Sequence, residues 1–186
     1  KIIEEVFFKK NWKQNSSTFG STIDNDRAIQ TYLDGIKSQV DVSKIKSRKL
    51  KVVLDLGNGA QSVTAIKLCE QLGCKIITIN QEIDGSFSGR GPEPTPYNLQ
   101  ELSSTVVKNN ADLGIAFDGD GDRSIFCDGK GMLLSGDKSA LLLSNYLLKK
   151  NPNSKVVTCV NSGNSIDEIV TQTNSTVIRT KVGSVE

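Results

Sequence analysis

The stretch Leu113-Gly-Ile-Ala-Phe-Asp-Gly-Asp-Gly-Asp-Arg123 runs from an apolar segment straight into three alternating aspartates. A short apolar run bounded by a Gly/Asp turn reads as a buried strand. Asp118, Asp120 and Asp122 would project to one side of an extended segment, and the intervening glycines let that segment curl until the carboxylates converge. Converging carboxylates repel one another unless a hard, oxygen-seeking cation joins them, and Mg²⁺ is the usual one where phosphate is the other ligand. Arg123, next in the chain, is a planar cation able to grip a phosphate oxygen. The stretch therefore predicts a strand that delivers a metal-phosphate loop.

Two simpler readings compete with that one. Asp and Gly form turns readily, but a plain turn needs neither strict alternation of Asp nor a buried strand to carry it. D-x-D-x-D also opens an EF-hand loop. That loop needs Gly at its sixth position and a bidentate Glu at its twelfth, where this chain has Arg123 and Gly129.

Working outward, Leu50–Leu54 reads as a strand that turns through residues 55–60 into a helix ending near Gly73, a suitable C′ residue. Lys75–Ile79 reads as the next strand. Thr95 and Pro96 then signal a helix start, with Leu99, Leu102, Val106 and Val107 facing inward. After the aspartate loop, Ser124–Cys127 and the turn Asp128–Gly131 predict a hairpin and an antiparallel strand. Asp137 is a candidate cap for a Leu-rich helix from Lys138 to about Lys149, closed by Asn151-Pro152. Upstream, Asp24 or Asp26 is a candidate cap for a helix to about Val40 with Ile29, Tyr32, Leu33, Ile36 and Val40 on one face. Residues 41–51 read as a charged boundary, and residues 1–23 give no clear element beyond the apolar stretch Ile2–Phe8.

The pattern is α/β: a mainly parallel sheet with an antiparallel edge strand, flanked by helices. Ligands in such sheets gather beyond the carboxyl ends of the strands, where the turn at residues 55–60 and the aspartate loop both lie. A second unit then begins. Ser154-Lys-Val-Val, the turn at Asn161–Ser165, a helix from about Ile166 and Thr176–Arg179 repeat in order the elements that start at Leu50. The reading is of tandem related α/β domains, the second copy cut short. The expected divisions are 1–43, 44–150 and 151–186.

Composition narrows the function classes. The chain has 186 residues, a formal charge of +2 and no histidine. It carries no basic footprint for nucleic acid and no apolar run long enough to span a bilayer. It opens at Lys1 with no Met, so an upstream part is expected to be missing. Cys69, Cys74, Cys127 and Cys159 fit no zinc spacing and read as reduced thiols, which favours a cytoplasmic protein. With no histidine, acid–base chemistry falls to Asp, Glu, Lys, Arg or groups outside the chain.

Asp118–Arg123 with the preceding Ala111–Phe117, the loop Asp84-Gly-Ser-Phe-Ser-Gly-Arg-Gly-Pro-Glu-Pro94, the turn Gly57–Ala60 and the tail Arg179-Thr-Lys-Val-Gly183 resemble the α-D-phosphohexomutases. These are the phosphomannomutase and phosphoglucomutase enzymes, and the resemblance runs from about Asp24 onward in the family's order. The Asp84–Pro94 loop resembles the phosphomannomutase/phosphoglucomutase branch more than the phosphoglucosamine mutases. The family folds as four domains. By resemblance, residues 1–43 are the end of the first, 44–150 the metal-binding second, and 151–186 the start of the third.

The resemblance implies an isomerase of carbohydrate metabolism. A phosphoserine in the first domain donates its phosphoryl group to a hexose monophosphate. The resulting bisphosphate reorients and returns the other phosphate. Asp118, Asp120 and Asp122 match the family's Mg²⁺ ligands, Arg123 its arginine beside the metal, and Lys181 a lysine that assists proton transfer or holds the sugar. Arg90 is expected to pin its loop to Glu93 or Asp84, and Asn58 and Gly59 to make a tight turn. Ser184 departs from the Asp or His usual in the family. The phosphoserine motif contains histidine and is absent, so the chain alone is expected to lack mutase activity. Partners implied are hexose phosphates, hexose bisphosphate and the remaining domains of the enzyme. The alternatives are a non-catalytic metal-binding or interaction module and, further behind, a phosphatase with Asp118 as nucleophile.

Overall fold

The computed structural model describes residues 2–10 and 20–183. Strand β1 (Lys51–Asp55) sits inside a five-stranded sheet of order β2-β1-β3-β4-β5, with β2 at Lys75–Ile79, β3 at Leu113–Phe117, β4 at Ser124–Asp128 and β5 at Leu133–Leu134. β1 pairs in parallel with β2 and β3, whereas β3–β4 and β4–β5 are antiparallel. The predicted hairpin is present, turning at Asp128–Gly131, and its short second arm β5 takes the sheet edge.

Side chains alternate across a strand, so neighbours in β1 feed two cores. Val53 packs with Ile79, Ala116 and Cys127 against Leu99, Leu102 and Val106. Val52 and Leu54 pack with Leu56 and Ala65 on the opposite face. Helix α5 (Gln100–Lys108) covers the first face and α4 (Ala65–Gln71) the second. Gly73 follows α4 with φ of 75°. Leu33, fully buried, anchors α2 (Ala28–Lys37), and a cleft between that helix and α4 is lined by Tyr32, Ile36, Leu68 and Cys69.

Several boundaries differ from the sequence reading. Helix α2 starts after Arg27 and uses no side-chain cap, so neither Asp24 nor Asp26 serves; Tyr32 and Val40 are exposed. The charged stretch after it is itself a helix, α3 (Val42–Arg48), because the Asp41 carboxylate accepts the Lys44 N–H at 2.9 Å and caps it. Helix α5 begins at Gln100 and leaves Val107 exposed. The Thr95-Pro96 signal is spent on a turn in which Asn98 Oδ1 accepts the Thr95 N–H at 2.8 Å. The Leu-rich helix α6 (Gly136–Lys150) is capped by Ser135, with Asp137 inside its first turn. Residues Ile2–Lys9 form α1, exposed along its whole length.

The second unit has the same start as the first. β6 (Lys155–Cys159) and β7 (Thr176–Thr180) pair in parallel around the crossover helix α7 (Ser165–Gln172). Leu148 of α6 packs there with Ile166 and Val170 of α7. No helix among the described residues is long and apolar enough to cross a membrane.

Candidate metal centre

The sequence Asp118–Arg123 forms the six-residue connection between β3 and β4. Its neck is closed where Asp118 N donates to the Arg123 carbonyl at 3.2 Å, continuing the ladder from the Phe117–Ser124 pair. The loop thus emerges at the carboxyl end of β3, level with the ends of β1 and β2.

One carboxylate oxygen from each of Asp118, Asp120 and Asp122 lies within 4.8 Å of the others. Their surroundings differ. Asp118 is 1% exposed. Its Oδ1 accepts from Gly121 N and Arg123 N, both at 3.0 Å, and its Oδ2 from Arg123 Nε at 2.8 Å. Burial pushes its pKa up, but the Arg123 donors and charge outweigh that and hold it below the ordinary carboxylate value. Asp120 and Asp122 face solvent. The charge of Asp120 pushes the Asp122 pKa up, and the Arg123 guanidinium, 3.5 Å from Asp122 Oδ1, only partly offsets it.

A carboxylate has about four lone-pair sites, so Asp118 keeps capacity beyond its three N–H donors. The donor set is all oxygen, triply anionic and gathered at one point. That set fits a hard divalent cation such as Mg²⁺ and suits no soft metal.

Arg123 is held by three carboxylates: Nη1 meets Glu93 Oε1 at 2.6 Å, and Nε meets Asp118 Oδ2 at 2.8 Å with Asp122 Oδ1 at 3.5 Å. Its Nη2 makes no hydrogen bond among the described residues. That edge is available for a phosphate oxygen. Glu93 was expected as a partner for Arg90; it pairs with Arg123 instead.

Arg90 does pin its loop, but to a different group. Its Nε meets Asp55 Oδ2 at 2.7 Å in a buried ion pair, and its Nη2 donates to the Phe117 carbonyl. Asn58 makes the tight turn expected, with φ of 57°, and ties down the Asp84–Pro94 loop by accepting from Gly89 N at 3.0 Å. Gly59 is needed for close approach: a Cβ there would collide with the Gly119 carbonyl, which Ala60 N holds at 3.0 Å. Gln61 Nε2 adds a bond to the Gly121 carbonyl at 3.0 Å.

Lys181 is not brought to this cluster by any contact. It follows β7 beyond the carboxyl end of the second sheet and is exposed. Ser184 lies outside the described residues. Asp55 and Gln61 support the site without having been singled out in the sequence, whereas Glu93 was expected to pair with the other arginine of the site. Only Asp55 carried a signal, as a lone carboxylate ending an apolar strand before a glycine turn.

Comparison with known proteins agrees with this architecture. The family model for phosphoglucomutase/phosphomannomutase, alpha/beta/alpha domain II, matches residues 30–131, and that for alpha/beta/alpha domain III matches residues 135–185. A phosphoglucomutase/phosphomannomutase of Thermococcus kodakarensis is 37% identical over 98% of this chain and 40% of its own length. A phosphoglucosamine/phosphogalactosamine mutase of Sulfurisphaera tokodaii is 42% identical over 99% of this chain and 41% of its own length. The crystal structure of a phosphoglucomutase/phosphomannomutase family protein from Burkholderia thailandensis superposes with a TM-score of 0.83 at 28% identity, over 97% of this chain and 38% of that one. The chain thus spans about two-fifths of the length of the curated relatives it matches. The chain belongs to the phosphoglucomutase/phosphomannomutase family.

Proposed function

We propose that this chain is part of a phosphohexomutase that interconverts hexose 1-phosphate and hexose 6-phosphate, and that it supplies the Mg²⁺ site. The supporting observation is the convergence of Asp118, Asp120 and Asp122 within 4.8 Å beside a clamped arginine, in a chain of this family. Asp118, Asp120 and Asp122 would hold the ion, which offsets negative charge on a phosphoryl group in transfer.

The chain's own residues do the rest by position. Asp118 is fixed by three N–H donors, so its carboxylate needs little reorganisation to serve as a ligand. Arg123, held by Asp118 and Glu93, presents its remaining edge to a phosphate oxygen. Lys181 is the candidate to hold the sugar or move a proton. The phosphoserine that exchanges phosphoryl groups with the sugar belongs to another domain. In this reading residues 1–43 end the first domain, 44–150 form the metal domain and 151–186 begin the third. Mannose and glucose phosphates are the substrates proposed. Relatives named for glucosamine and galactosamine phosphates make the amino sugars the competing choice.

The test is coupled 1-phosphate to 6-phosphate turnover with Mg²⁺ and a trace of hexose bisphosphate. It is run on this chain and on the protein with its remaining domains, using glucose, mannose and glucosamine phosphates in turn. Activity in the complete protein alone supports the reading. Silence with every sugar would favour a non-catalytic metal-binding module.

A further inference from the structure

Asp55 and Arg90 form an ion pair whose side chains are 1% and 4% exposed. Stability alone is a poor reason for it, because apolar residues of similar volume commonly serve a buried site as well or better. Its position is more informative. Arg90 spends Nε on Asp55 Oδ2, Nη1 on the Gly91 carbonyl at 3.1 Å, and Nη2 on the carbonyl of Phe117. Asp55 Oδ1 in turn accepts from Gly57 N at 3.1 Å and Asn80 Nδ2 at 3.0 Å. Three loops at the carboxyl ends of β1, β2 and β3 therefore meet on one buried charge pair.

The Phe117 carbonyl belongs to the same planar peptide unit as Asp118 N. Arg90 holds one end of that unit, and the Arg123 carbonyl holds the other at 3.2 Å. Clamping both ends fixes the plane from which the Asp118 side chain departs. Gly57 leaves room for this: at φ of 55°, a Cβ there would lie 2.6 Å from Arg90 Nη2 and 3.1 Å from the Phe117 carbonyl.

We propose that the Asp55–Arg90 pair is a positioning device for the metal centre, setting the orientation of Asp118 and thereby cation affinity. This rests on the reading of Asp118, Asp120 and Asp122 as a divalent-cation site. A lysine at 90 would keep the charge opposite Asp55 but lacks the planar fork that reaches Phe117 as well.

The experiment is a Mn²⁺ titration of the intact protein, followed by the electron paramagnetic resonance of free Mn²⁺. The proteins are the wild type, Arg90→Lys, the charge-free pair Asp55→Asn/Arg90→Met, and Asp120→Asn. Circular dichroism and the denaturant midpoint report folding. Arg90→Lys and the double variant, folded, should bind Mn²⁺ roughly 10- to 100-fold more weakly, the usual loss when the support of a metal ligand is removed. Arg90→Lys retains the buried pair and decides the matter if the double variant does not fold. Wild-type affinity in a folded Arg90 variant overturns the positioning role and leaves the metal site standing. A wild type that binds no Mn²⁺, or binds it equally well with Asp120→Asn, overturns both.

Discussion

Asp118 and Asp120 carry the same carboxylate into opposite surroundings. Asp118 is buried and accepts three N–H donors, whereas Asp120 is exposed and makes no hydrogen bond among the described residues. Substitution should separate the two roles. Asp120→Asn in the complete enzyme is expected to lower kcat by more than about 100-fold, beyond the range for residues that only support a ligand. Its unfolding free energy should stay within about 0.5 kcal/mol of wild type, as for an exposed position. Asp118→Asn should lose activity and also cost about 1–3 kcal/mol, because an amide cannot accept at both ends and so gives up a charge-assisted bond from Arg123 or the backbone. Steady-state kinetics and denaturant unfolding on the same preparations check both. The aspartates were legible because their spacing is local. The partner of Arg90 was not: the candidates within its own loop, Glu93 and Asp84, lie close in sequence, but the ion pair forms with Asp55, 35 positions away. Asp84 is instead held by Ser86 and Ser88, whose N–H and O–H groups push its pKa well down.

Among the elements, strands were read most accurately. β2 and β3 have the bounds expected, since short apolar runs between turn residues leave little freedom. Helix starts were read less well, because several polar residues compete for each cap. Asn98 shows why: its amide bonds the carbonyls of Arg90 and Glu93 at 2.8 Å, so it holds the loop and delays α5 to Gln100. Within α5, Leu102 and Val106 are buried and Val107 is exposed. Leu102→Ala should therefore cost about 2–5 kcal/mol and Val107→Ala less than about 0.5, measured by denaturant unfolding. At the end of α4, burial pushes the Cys69 thiol up from 9.0 to about 11, with Cys74 adding to the effect. A raised folded pKa means that the unfolded chain releases this proton first. The contribution is complete below about pH 9 and is lost as pH rises through about 11. Cys69→Ala should flatten the loss of stability over that window, read from thermal midpoints across a pH series.

For the molecule as a whole, the repeat of strand, turn and helix was visible in the matched Lys-Val-Val segments, and the parallel β6–β7 unit follows it. The order β2-β1-β3-β4-β5 was not visible, because it depends on which strand β1 accepts on each side. That order is what makes the site. It places β1 between β2 and β3, so the loops after all three strands interlock through Asp55, Asn80 and Arg90 beneath the aspartates. This interlocked end of the sheet is proposed to hold a divalent cation. Anomalous diffraction from crystals of the intact protein grown with Mn²⁺ tests it most directly. One peak bonded to Asp118, Asp120 and Asp122 at about 2.1 Å is expected, near the bond length of a small hard cation. A peak elsewhere, or none at this loop with Mn²⁺ in excess, would contradict it.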